Sequence, residues 1–225
     1  GIGSDGPGWL GTRFQAMSPS GQARKNMELS VDANRLDDRR GLLNSIDVIN
    51  REIDRTGQIK GLDGFEQQAF DLVLGSAKDA FDIKKEDPKV RARYGKGLGE
   101  QLLLARRLTE AGSRFVNLSY GGWDMHGKIG NAMKSRSPQM DQGISALIED
   151  LKQRGQFDDT LLVITGEFGR TPRVNKNAGR DHWGRLCTLM LAGGGLNMGQ
   201  VIGKSSPKLE DPAERHITPQ DVLAS

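Results

Sequence analysis

The chain has 225 residues, with 30 Gly, 8 Pro and 1 Cys, and its 32 basic and 29 acidic side chains leave a net charge of +3. One cysteine excludes an internal disulfide framework and a cysteine-based zinc finger, and a small charge mixed along the chain argues against a dedicated nucleic-acid binder, which would carry a basic stripe. The apolar runs, such as Leu161 to Ile164, fall far short of the roughly 18 residues a membrane span needs.

The glycines divide the chain unevenly. Five lie in the first eleven residues, nine in the long middle and sixteen between Gly112 and Gly203. Residues 1–32 read as a loop-rich entry, with Gly6-Pro7-Gly8 as turn chemistry. Residues 33–111 read as polar and helical. Residues 112–225 alternate short apolar runs with glycine-rich turns. No basic-then-apolar targeting segment opens the chain.

In chain order, helical spacing marks residues 33–55, through Leu36, Leu42, Leu43, Ile46, Ile49 and Ile53, and residues 63–80, through Phe65, Ala69, Leu72 and Val73. Leu98, Leu102, Ala105 and Leu108 predict a third helix over 98–110, and Gly112 sits where a left-handed residue closes a helix. The period then changes. Residues 114–120 read as a strand. Ser137 and Pro138 read as N-cap and first residue of a helix that Gly155 ends. Residues 160–165 read as a strand apolar enough to be buried on both faces. A strand–helix–strand unit implies a parallel pair with a right-handed crossover. Residues 186–192 read as a further strand ending at Gly193-Gly194-Gly195, and a helix starts at Thr218.

Ligands of a parallel sheet bind beyond the carboxyl ends of its strands. The first strand ends in Gly121-Gly-Trp-Asp-Met-His-Gly127 and the second in Gly166-Glu-Phe-Gly-Arg-Thr171. Asp124, His126 and Glu167 are therefore expected to be neighbours, with Asp124 and His126 on one side if the backbone stays extended. The patternless link that follows is of a length usually kept for function. It carries Arg170, Arg173, Lys176, Arg180 and Arg185, together with Asp181 and His182. Imidazole with carboxylate suits zinc, iron or manganese better than calcium, and arginines suit phosphate or sulfate oxygens. The set points to a divalent metal ion, zinc or manganese, acting on an anionic ester. The plainer readings are a solvated basic face, a carboxylate pairing Arg170, and tryptophans 123 and 183 that pack. His216 reads as structural, and Cys187 as a small core residue opening a buried strand.

Gly166-Glu-Phe-Gly-Arg-Thr-Pro172, Gly179-Arg-Asp-His-Trp183, Leu191-Ala-Gly-Gly-Gly195 and Trp123-Asp-Met-His-Gly127 resemble the bacterial domain-of-unknown-function family 1501, which is placed with the alkaline phosphatase and sulfatase superfamily. Gly6-Pro-Gly-Trp-Leu-Gly11 is similar to another of its segments. The resemblance implies one alkaline phosphatase-like α/β domain over residues 1–225, with a central, mostly parallel sheet flanked by helices. It implies a metal-dependent hydrolase of phosphate or sulfate esters in which Asp124, His126, Glu167 and His182 hold the metal. Arg170 and Arg180 would hold the anionic oxygens, with Asp181 and Thr165 supporting the ligands. Where the superfamily has an Asp-His pair, this chain has Glu167-Phe168, and phenylalanine cannot ligate a metal. His182 resembles the superfamily's later histidine; alternatively Asp181-His182 takes the part of the Asp-His pair from a different loop. The superfamily's nucleophile comes from early strands that nothing here matches, so the chain resembles a C-terminal portion of an exported, periplasmic protein. Ser119 and Thr165 match no nucleophile motif. The competing reading is a non-catalytic member of the fold that binds an anionic glycan or protein partner at the cell surface.

Overall fold

The computed structural model describes residues 77–224, together with Ala16 and Asp38. The expected entry loop and the helix over 33–55 lie outside the described residues, apart from those two positions, as does most of the helix over 63–80. The chain divides into two compact units, residues 1–88 with 104–119 and residues 89–103 with 120–225.

In the first unit, helix α1 (Ala77–Ala80) leads to a single 3-10 turn over Ile83–Lys85, capped by the Asp82 carboxylate, which accepts from the Lys84 N–H. The far half of α3 (Leu98–Glu110) brings Arg106 and Arg107 to the Glu86 carboxylate. Arg107 also donates to the carbonyls of Ala80 and Asp79, and the buried Arg106 pairs with Glu110 one turn on. A buried guanidinium is tolerated here because acidic partners surround it. The helix expected over 98–110 is present with those bounds. Gly112 follows it at φ +97, and the Ser113 N–H closes back on the Leu108 carbonyl.

The second unit is built on α2 (Pro88–Tyr94), the near half of α3, and the long α4 (Ile129–Gln153). Tyr94, Leu98, Leu102, Leu103, Ala146, Leu147 and Leu151 are buried. The helices α3 and α4 meet through two glycines. A Cβ on Gly143 would press into Leu102 and come close to the Gly99 backbone, and one on Gly99 would overlap the Tyr94 carbonyl. Asp150 ties the group together. Buried on α4, it accepts from the Tyr94 hydroxyl at 2.9 Å and from Arg154 Nε at 2.9 Å.

Helix α4 begins eight residues before the expected N-cap, and Pro138 lies inside it. No side chain caps its start; Lys128 stands there at φ 49. The Lys128 and Ile129 N–H groups donate instead to the carbonyls of Asn177 and Ala178. A cap supplied from a distant loop leaves no local signature, which is why Ser137-Pro138 looked like the start. The stop at Gly155 is as expected: its φ is +69, and the Gln156 N–H reaches the Leu151 carbonyl.

The chain mixes helices and strands, but the strands pair differently from expectation. Among the described residues they form three two-stranded antiparallel sheets: β1 (Leu161–Thr165) with β4 (Leu189–Gly193), β2 (Gly169–Arg170) with β3 (His182–Trp183), and β5 (Lys204–Ser205) with β6 (Pro212–Glu214). Residues 115–120 make no ladder, and Phe115 is 85% exposed. The expected parallel pair over 114–120 and 160–165 is therefore absent among the described residues. The reason is topological. β1 and β4 are the two arms of one wide hairpin, with Thr165 opposite Leu189, and everything between them folds back on itself as β2–β3. Alternation of apolar residues identifies a strand without naming its partner or direction. Nor is β1 buried on both faces: Leu161 and Val163 are about half exposed. Because β4 starts at Leu189, Cys187 precedes the strand and is exposed rather than in the core.

The last described element is α5 (Pro219–Leu223), begun by Thr218 as expected. Thr218 and Asp221 form a capping box in which each side chain answers the other's backbone N–H. The Thr218 hydroxyl, and then its backbone N–H, hold the Asp221 carboxyl below the usual carboxylate range.

Two outcomes are expected. Replacing Asp150 by Ala leaves the Tyr94 hydroxyl and a guanidinium without their acceptor and should cost about 2–3 kcal/mol in urea denaturation, with Asp150→Asn losing less. The Asp221 contribution to the cap should be complete above the unfolded carboxylate value of about 4 and disappear as pH falls through the lower folded value. Amide exchange of residues 221–224, followed from pH 6 to pH 2, should show that loss; Thr218→Ala, which keeps the backbone donor, should reduce the pH dependence, and Asp221→Asn should abolish it.

Candidate metal centre

Two loops converge to form the site. The first, residues 121–127, lacks strand structure. The Met125 N–H donates to the Trp123 carbonyl at 2.9 Å, a three-residue turn centred on Asp124. Met125 is buried, while Asp124 and His126 on either side are exposed and converge. The second loop is the excursion between β1 and β4. Its β2–β3 ladder sets Arg170 directly opposite His182.

The loops are joined by main chain. Gly127 bridges Ala178, the Arg180 N–H donates to the Met125 carbonyl at 3.0 Å, and Lys128 and Ile129 donate to Asn177 and Ala178. At the centre of this seam Gly179 is buried, and a Cβ there would overlap the His126 carbonyl group and the Gly127 nitrogen.

The seam brings three metal-competent atoms together. Asp124 Oδ1 lies 2.8 Å from His182 Nε2 and 2.9 Å from His126 Nε2, and the two Nε2 atoms are 3.2 Å apart. On its other side, His126 Nδ1 lies 2.7 Å from Asp181 Oδ1. With its proton on Nδ1, His126 turns a lone pair toward Asp124. All four side chains are about half exposed.

Around them, Arg170 Nη1 donates to Asp124 Oδ1 at 2.6 Å. The Phe168 ring packs against His182 at a tilt of 47°, with ring centres 4.4 Å apart, and lies under the Arg170 guanidinium at 5.7 Å. Hydrogen bonding by His182, then by Arg170, pulls the Asp124 carboxyl down to about 2. His126, and next Asn175, likewise hold Asp181 below the usual range. Both acids are therefore anions at any pH where a histidine can be a neutral ligand.

Of the residues marked in the sequence, Asp124, His126 and His182 form the cluster, and Asp181 stands behind His126. Glu167 is exposed and is not part of that group. Thr165 bonds the Gly166 carbonyl and lies 3.8 Å from Cys187 Sγ. Arg180 Nη1 is spent on the carbonyls of Thr171 and Pro172, bracing the loop. Trp183 packs with its Nε1 on the Glu210 carbonyl. Asp124 and His126 do converge, though by a turn rather than an extended strand. The sequence reading missed Phe168 as a packing partner of His182, and it missed Asn175, whose amide bonds the His126 carbonyl and Asp181. Asn175-Lys-Asn-Ala-Gly179 carries the composition of a tight turn, which was the available signal.

Residues 2–225 match the model of the protein of unknown function family DUF1501, and the chain belongs to that family. No curated protein and no solved structure matches it.

Gly179→Ala should force the seam apart. It should cost at least about 1–3 kcal/mol, as overpacking does, and remove the amide-exchange protection of Arg180 and Lys128, while Gly184→Ala, where a Cβ meets open space, should leave both unchanged.

Proposed function

We propose that the protein is a metal-dependent hydrolase of phosphate or sulfate esters, with Asp124, His126 and His182 as ligands of a zinc or manganese ion. The carrying observation is the convergence of Asp124 Oδ1, His126 Nε2 and His182 Nε2, with the far side of His126 held by Asp181. Bonds of roughly 2.0–2.1 Å to a tetrahedral ion place its ligand atoms about 3.3 Å apart; the two Nε2 atoms, 3.2 Å apart, match that spacing, while Asp124 Oδ1, at hydrogen-bond distances of 2.8 Å and 2.9 Å from them, would move outward by about 0.5 Å to admit the ion. Two imidazoles and a carboxylate suit zinc or manganese better than calcium. A carboxylate behind a ligating histidine is the usual support for such a site. Three protein ligands leave room for substrate, as hydrolytic centres require.

When bound, the metal supplies Lewis-acid polarisation of an ester oxygen. The chain's own groups orient and compensate. Asp181 holds the Nδ1 proton of His126. Phe168 packs the His182 ring and so limits its rotation. Arg170, beside Asp124, offers a guanidinium to anionic oxygens. The exposure of the ligands suits an ester carried on a large substrate. Affiliation with the alkaline phosphatase and sulfatase superfamily and a periplasmic location belong to the same proposal.

Chelator-stripped protein titrated with zinc and with manganese by calorimetry should bind one equivalent, and His126→Ala or His182→Ala should weaken binding at least tenfold. Hydrolysis of aryl phosphate or aryl sulfate should fall at least about 100-fold in the same variants. Wild-type protein that binds neither metal overturns the proposal. Tight binding without turnover of either ester supports the non-catalytic reading, in which the metal-loaded site holds an anionic glycan or partner.

A further inference from the structure

We infer that Asn175 is a positioning residue for the metal ligand His126, acting through Asp181 and through the His126 main chain. The inference rests on the metal reading for its consequence, though not for its geometry.

Asn175 uses its whole amide. Oδ1 accepts from the N–H groups of Asn177 at 2.9 Å and Gly179 at 3.0 Å. Nδ2 donates to the His126 carbonyl at 3.1 Å and to Asp181 Oδ1 at 3.0 Å. Two donor hydrogens and two acceptor lone pairs are the full capacity of the side chain. The orientation of the amide follows from its partners: with oxygen and nitrogen exchanged, donors would face donors and acceptors would face acceptors.

The two ends do different things. The Oδ1 end closes the turn that carries Ala178 at φ 57 into Gly179. That end is structural. The Nδ2 end crosses the seam and grips His126 twice. It holds the carbonyl of the residue itself, and it holds the same Asp181 oxygen that meets His126 Nδ1 at 2.7 Å. The imidazole is thereby fixed at its backbone root and at its Nδ1 edge. With that edge committed to Asp181, Nε2 is the atom turned toward Asp124 and His182. Outer groups of this kind commonly set metal affinity by 10–100-fold although they never touch the ion.

Asn175→Asp separates the two roles, because it keeps the acceptor that closes the turn and removes both Nδ2 donor bonds, the one across the seam to the His126 carbonyl and the one to Asp181. Zinc affinity should fall about 10–100-fold in this variant, while the amide protection of Gly179, which reports the turn, is retained. In an Asp181→Ala background, which lacks one of the two routes, the same substitution should lower affinity by less than it does in the wild-type background, because effects through a shared partner are not additive; the remainder measures the bond to the His126 carbonyl. A second readout needs no metal. Nitrogen-15 shifts of the histidine rings at pH 8 should show His126 as the Nδ1–H tautomer in wild-type protein and a mixture in Asn175→Asp. Asn175→Ala, which adds no charge beside Asp181, should shift both readouts in the same direction and serves if the Asp variant does not fold. Wild-type affinity and an unchanged tautomer in a folded Asn175 variant overturn the inference. Failure of wild-type protein to bind zinc overturns the metal proposal instead, and the tautomer measurement then decides the role of Asn175 by itself.

Discussion

The candidate centre depends on one close approach of main chain to main chain, residues 124–129 against residues 175–180. Gly179 permits it by having no Cβ where the His126 carbonyl group lies. Every functional side chain of the site is placed by this seam or by the short ladder beside it. Asp124 and His126 hang from one lip, Asp181 follows the other, and His182 stands on β3 immediately beyond. Nothing in the cluster comes from the interior of a long helix or of the β1–β4 ladder. Hydrogen bonds between loops, rather than a sheet edge, set the relative positions of the clustered side chains.

The same seam extends into the packed part of the unit. The Asn177 and Ala178 carbonyls take the first N–H groups of α4, a helix of 25 residues that spans roughly 37 Å at 1.5 Å per residue. Near its other end Asp150 is bonded to Tyr94 of α2. The loop that carries Asp181 and His182 is thus attached to the start of a helix whose far turns are seated among buried Leu147, Leu151 and Tyr94. Loops that hold a precise geometry are ordinarily positioned by a rigid scaffold, and here the scaffold is a single helix fixed near both ends.

What the sequence reveals about this molecule follows the range of the signal. The helix over 98–110, its glycine stop, the stop of α4 at Gly155 and the cap at Thr218 are local events, and each appears where residue spacing and turn chemistry put it. Strand partners and the start of α4 depend on distant segments. The parallel pairing over 114–120 and 160–165 therefore went astray, as did the N-cap at Ser137. The site illustrates the same division. Asp124, His126 and His182 stand out by residue type and spacing, yet the reason they meet is the seam, not neighbouring tips of parallel strands. Glu167 was chosen on the pairing that does not form, and it stands outside the cluster. Phe168, set aside in the sequence because it cannot bind metal, packs on the ring of a residue that can. Asn175 shows only as turn composition: three of its four bonds stay within six residues, and the one that reaches His126 crosses a fold that residue spacing cannot encode.

Trp123 immediately precedes Asp124, and Trp183 immediately follows His182. Trp123 meets Tyr120 edge to face, with ring centres 5.6 Å apart, and Trp183 is anchored through its indole nitrogen. The two described indoles are therefore covalently next to two of the clustered side chains, one on each loop. Each lip of the seam thus carries an aromatic reporter beside a clustered side chain, so intrinsic emission senses the surroundings of both loops without any added label.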